Sequence, residues 1–467
     1  MTGPPPMRRC RSRVPAAVIA AVLLFAGCAG RPDAGADPAV AADDPAVTGD
    51  GGDGAPPAAP ATEAGAGGGG GTPGPAMGSD VPADGDGPSV ELVTLSTDPM
   101  VTGAQYPRPG YAGDPWSQWG QGTVLDDGRV ITAIGDHLGV DGNAYLFVHD
   151  PDAGTLTRFG DVLGALDHRA GSWGYGKVHS PMVRGDDGSV YFTTYYGTRR
   201  GLAFDDSYRG DVLFRIDPDD LSRRAVAVPV PGHGVPSLAA GPAGALYGEA
   251  VDPLLGPDEY PAGGLFVFDP ATGLTTTMVT EPDHTVFRTI AVGLDGAAWF
   301  ARTGGGMYRY DPVEGEATAT EVDLGAELRA TTGPTASGVI YGATQDPPRL
   351  FAFEPSSASV RFLGEAEDYV ASVALLPDES GFLYLPGAHG DAHRYGAPLV
   401  AVDGADGART TVVELADLVA DEWGLVVGGT YSITVDPDRN VAHIGLNAGT
   451  DPDDPWGEII FVTVELP

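Results

Sequence analysis

After residue 88, apolar and polar residues alternate along most of the chain, and the alternation recurs in one phrase: an apolar strand, Asp-Pro or a relative, then a turn. The phrase occurs as YLFVHDPDAG from residue 145, LFRIDPDD from 213, LFVFDPATG from 265, MYRYDPVEG from 307, LFAFEPSSA from 350 and LVAVDGADG from 399. A seventh strand, IIFVTVELP from 459, stops where a turn would follow. Each copy is preceded by a second strand behind a small-residue turn: DDGRVITAI, DDGSVYFTT, AGALYGEA, DGAAWFAR, SGVIYGAT, SGFLYLPG and DRNVAHIGL. A period of two bounded by Gly and Asp predicts half-buried antiparallel strands, and no stretch carries sustained helical periodicity.

Four such strands in every unit of about 40 to 65 residues predict an all-β fold, a seven-bladed β-propeller of four-stranded antiparallel blades over residues 89–467. In the fourth unit, strands A to D read TVFRTIAVGL, AAWFART, GMYRYDP and ATATEVDL. The last unit ends at its third strand. SVELVTLS, residues 89–96, alternates without a partner of its own, so an N-terminal strand is expected to pair outside IIFVTVELP, closing the last blade and hiding two open edges.

The chain start reads differently. Arg8, Arg9, Arg11 and Arg13 precede VPAAVIAAVLLFAG, an apolar run too short to span a bilayer comfortably, which is the pattern of a secretory signal. LFAGCAG resembles a bacterial lipobox, which implies cleavage after residue 27 and a diacylglycerol on Cys28. The other cysteine, Cys10, falls in the removed segment, so no disulfide is expected. Residues 28–88 are built mainly from Ala, Gly, Pro and Asp and predict a disordered tether. The expected location is the extracytoplasmic side of the cell membrane, reached through the lipid anchor.

A net charge of −38 excludes a nucleic-acid binder held by phosphate contacts. The acidity extends over the folded region. It implies either solubility in a saline or wall-rich setting or affinity for cations and basic ligands.

In a propeller the A to B and C to D turns share one face, and the B to C and D to A connections share the other. The first set is short, two to five residues, and predicts a structural face. The long connections, 195–210, 249–264, 386–398 and 447–457, fall on the second face, where binding is expected. Trp116, Trp119, Trp173, Trp423 and Trp456 lie on or beside those connections, as do Tyr195, Tyr196 and Arg199, and only Trp299 lies within a strand. Such rings either stack on a sugar face or flat ligand, or plug gaps between blades.

Aligning the units on the A to B turn places Trp119, His179, Phe287, Arg329 and Tyr431 near the start of strand A, which lines the central channel. His233 and His284 come just before that point and Arg288 just after it. These predict a channel pocket with imidazole and guanidinium groups, or histidines that merely satisfy nearby carbonyls. Lys177, the only lysine in the chain, stands two residues before His179 as a candidate base or anion anchor. His389, Asp391 and His393 lie in a Gly-flanked loop, AHGDAHRYG, and form a candidate divalent-metal cluster. DPDDP at 451–455 lacks the Gly and Glu of an EF-hand loop and reads as acidic surface. No serine-hydrolase elbow, phosphate-binding Gly loop, CxxC or haem-attachment motif is present.

DGAAWFARTGGGMYRYDPVEG resembles blades of the streptogramin lyase and SMP-30-like propellers, and the likeness extends loosely over all seven repeats as turn grammar. The resemblance implies a metal held by His and Glu near the channel, with Glu249 and the channel histidines as counterparts. Three functions follow as expectations. The first is a monomeric, lipid-anchored propeller that binds a small molecule or glycan, such as a cell-envelope component, on its upper face. The second is a metal-assisted lyase or hydrolase using His179, His233 or His284, with Lys177 as a further candidate and Arg288 or Arg329 stabilising negative charge. The third is a scaffold for protein partners.

Overall fold

A computed structural model describes residues 78–85, 87–110, 116–198, 201–254, 262–286 and 289–467. Cys28, Arg199, Phe287 and Arg288 lie outside them. Seven antiparallel sheets follow one another along the chain, five of four strands and two of five. Within each, strand A is innermost and B, C and D succeed it outward. The fourth runs Ala291–Val292, Ala298–Ala301, Gly306–Asp311, Glu316–Asp323, as the repeated phrase predicts.

The turn grammar has a direct physical cause. Asp187 and Asp295 accept the backbone N–H two residues on, at 3.0 and 3.1 Å, while Gly188 and Gly296 take φ of 78°, a left-handed conformation that disfavours a side chain. The Asp of Asp-Pro acts in the same way: Asp150, Asp217 and Asp311 accept N–H groups at 2.9–3.0 Å. Part of the chain's acidity is therefore structural, since these carboxylates build turns.

Ring closure occurs in the seventh blade, but through a later strand than expected. Residues 89–96 do not form one strand. Ser89–Glu91 adds a fifth strand to blade one, with Val90 opposite Leu156. Val93–Thr97 turns back on Met100–Gln105, and the latter pairs with Glu458–Glu465, with Val101 opposite Val464 and Gln105 opposite Ile460. A strand beyond strand C must turn its apolar side into the blade, and Val101 and Ala104 do so while Val93 stays 39% exposed. Upstream, Val81 bridges to Arg223 of blade two. The described residues of 78–105 thus strap the outer edges of blades two, one and seven.

Apolar side chains meet between neighbouring blades. At the seam of blades seven and one, Tyr106 sits edge-on to Phe147 and Phe461 at 4.9 and 6.1 Å. One short helix, Ala416–Trp423, escaped the sequence reading. It buries Leu415 and Val419, packs Trp423 against the same core, and ends at Gly424 with φ of 68°. Two turns are too few to show a period. Among the described residues no helix is long and apolar enough to cross a membrane.

Candidate functional site

All seven blades contribute to a cavity of about 310 Å³ on the propeller axis. Trp119, His179, Arg329 and Tyr431, four of the residues that the alignment of the repeats places at the channel, line it. The other described lining residues are uncharged, with Gln121, Ala239, Thr331 and Ser372 among them. A second cavity of about 470 Å³ adjoins it and shares Gln121, Pro181, Thr331, Thr332, Gly333 and Val373. That cavity reaches Pro377, Glu379 and Pro437, which belong to A to B turns. The channel therefore leads toward the face with the short turns. This corrects the expectation that the face is purely structural. In blade five the A to B connection, 332–339, is longer than predicted and supplies Thr332, Gly333 and Pro334 to the wall.

At the other end a cluster of rings closes around Trp119, which is 4% exposed. Trp456 stacks on it at 5.2 Å and 12°, Tyr431 lies at 4.7 Å, and His137 and His179 at 5.3 and 5.8 Å. Its indole N–H donates to Ser117 Oγ at 2.5 Å, which in turn lies 2.9 Å from His137 Nε2. The Lys177 ammonium sits 5.4 Å from the Trp119 ring centre, a cation–π distance. His179 stacks on Tyr195 at 4.1 Å, and Tyr195 on Tyr196 at the same distance.

Arg329 completes the cluster. Its Nε donates to the Tyr369 hydroxyl and its Nη1 to the Ala371 carbonyl at 3.1 Å, with the rings of Tyr369 and Tyr431 at 5.2 and 5.8 Å. His389 packs on Tyr369 at 3.9 Å and on Tyr431 at 5.9 Å. Trp119, Lys177, His179, Tyr195, Arg329, Tyr431 and Trp456 are thus brought together, although they are spread over more than 300 residues of sequence. Tyr369, His137 and Ser117 belong to the same cluster and were missed. Neither the turn phrase nor composition marks them.

Other candidates stand elsewhere. Trp173, 4% exposed, donates from its indole to the Tyr196 carbonyl at 3.0 Å rather than facing solvent. Nearby, Tyr175 donates to the Gly210 carbonyl and Tyr208 to Asp211. Burial pushes the Asp211 carboxyl well above the usual carboxylate range. His233 is half-buried beside the Pro231 carbonyl and does not line the cavity. His284 is sealed away, its Nε2 2.7 Å from Glu249 Oε1, while Ser237 donates to Glu249 Oε2 at 2.6 Å. Both side chains of the His284–Glu249 pair are fully covered.

The loop cluster does not gather. His389 turns toward Tyr369, Asp391 pairs with Arg394 at 2.8 Å, and His393 lies in a 3-10 turn, Ala392–Tyr395. Among the described residues no group of three or more His, Cys, Asp or Glu is arranged to hold a metal.

No family model matches the chain, and no curated protein matches it. Among solved structures, a catalytically inactive virginiamycin B lyase from Staphylococcus aureus with quinupristin aligns at a TM-score of 0.49 and 11% identity, covering 78% of this chain and 99% of that one. A chain of a mitotic checkpoint complex aligns at 0.48 and 10%, covering 76% and 96%.

Proposed function

We propose that the protein is a lipid-anchored, extracytoplasmic propeller that binds a small ligand in its axial channel, beneath the Trp119 cluster. The observation that carries this reading is the cavity itself. Seven converging strands leave about 310 Å³ open, within the usual size of ligand sites, and His179 and Arg329 stand in a wall otherwise uncharged among the described residues. A stacking platform on the upper face needs exposed rings, whereas Trp119, Trp173, Tyr195 and Tyr196 are each at most 4% exposed.

Two outcomes are expected. Protein isolated natively from its own cells releases a small molecule on denaturation, and Thr331→Trp, which fills the waist shared by the two cavities, lowers its amount about tenfold or more by mass spectrometry. Equal loading of both proteins contradicts a channel ligand. Separately, Cys28→Ala is expected to move the protein from the membrane fraction to the soluble one and to abolish its labelling by radioactive fatty acid. Persistent membrane residence without label contradicts the anchor.

A further inference from the structure

We propose that the channel takes a small organic anion, a carboxylate or a phosphate ester, with Arg329 as its charge partner. The inference rests on the reading of the channel as a ligand site and names the class of ligand.

Arg329 is 4% exposed. Its Nε and Nη1 are used by Tyr369 and Ala371, but no carboxylate pairs with it and Nη2 has no partner among the described residues. A guanidinium taken out of water without a counter-charge carries a large desolvation cost. The tyrosine faces and one carbonyl offset part of it, and two N–H bonds of Nη2 remain for a planar anion. The chain does not lack carboxylates for this purpose, having 64 Asp and Glu against 26 Lys and Arg. Elsewhere it supplies them: Arg223, the other buried arginine among the described residues, has Asp84 at 3.7 Å, and Arg309 has Asp295 and Asp311 at 2.8 and 2.9 Å. At Arg329 the place of the carboxylate is taken by the cavity.

The lining strengthens the case. Among the described residues it contains no Asp or Glu, and its hydroxyls on Thr331, Thr332 and Ser372 suit the rim of an acidic group. The acidic residue in the adjoining cavity, Glu379, lies at the turn end. Tyr431 places its ring 5.8 Å from the Arg329 guanidinium and Trp119 lines the same cavity, so a ring or short carbon skeleton bearing one acidic group matches the site.

The test uses the whole chain with 4-bromobenzoate and its neutral counterpart 4-bromobenzamide, followed by calorimetric titration and by anomalous bromine peaks in soaked crystals. The expected result is bromobenzoate in the channel with its carboxylate against Arg329, bound about tenfold or more tighter than the amide, a preference that Arg329→Met erases. The comparison of the two probes on the unaltered protein stands even where that variant fails to fold. Equal binding of both probes inside the channel, or bromobenzoate seated elsewhere, overturns the anion assignment and leaves channel binding intact. Exclusion of both from the channel overturns this inference together with the reading beneath it.

Discussion

A chain beginning at residue 106 is expected to lose the folded monomer, whereas one beginning at residue 78 keeps it. Met100–Gln105 supplies the outer partner of Glu458–Glu465 in five registered pairs, and each backbone hydrogen bond lost costs about 0.5–1.5 kcal/mol. Val101, fully buried, and Ala104 leave the blade seven core at the same time. So does the pairing of Ser89–Glu91 with blade one and the bridge of Val81 to Arg223. The sum approaches the whole stability of a domain, about 5–15 kcal/mol. The exposed edge strand, apolar at Ile460, Val462 and Val464, then invites pairing between molecules. Size-exclusion chromatography and thermal unfolding of the two chains check this. Equal elution and equal melting would mean that the ring does not depend on its N-terminal strap.

Acid is expected to weaken the same seam. His443 of blade seven lies 5.6 Å from the His149 ring of blade one and stacks near Phe461 at 5.9 Å, and neither of its nitrogens is hydrogen-bonded among the described residues. Burial pushes its pKa down from 6.5 to about 3. The neighbouring His149 and Arg439 act in the same direction, and Asp436 acts against them. Burial lowers His149 as well. Between those two pH values the unfolded chain takes up a proton that the folded one refuses. Stability is therefore complete above the unfolded pKa and falls as pH drops toward the folded one, by at most about 5 kcal/mol for this one group. His443→Leu keeps the volume and removes the titration, so its stability falls less steeply with acid in denaturant titrations across that window. Parallel curves for the two proteins would place the acid sensitivity elsewhere.

Most of the scaffold is legible because its turns are chemically obligatory. An Asp that accepts its own downstream N–H and a Gly at positive φ recur in most blades, as Asp269 with Gly273 and Asp311 with Gly315, so LFVFDPATG and MYRYDPVEG announce their strands. The closing strand is harder to see. MVTGAQ places Gly103 and Ala104 where bulky residues would mark a strand, and SVELVTLS is the stronger pattern although its halves serve two different blades. Of the site, Trp119, His179, Arg329 and Tyr431 are legible from their common offset to the A to B turn. The direction of the channel is not, since it depends on the small residues of several inner strands. His284 shows the limit of that offset: three residues before the aligned Phe287, it is buried beside Glu249, and spacing alone does not resolve its place.

An anionic ligand held on the axis against Arg329 is to be sought in an experimental structure of the protein taken from its own cell envelope without dialysis. Density for a molecule with an acidic group within about 3 Å of the Arg329 Nη2 is the predicted result. A channel holding only solvent, or a ligand seated on the 195–210 and 386–398 connections instead, would contradict it.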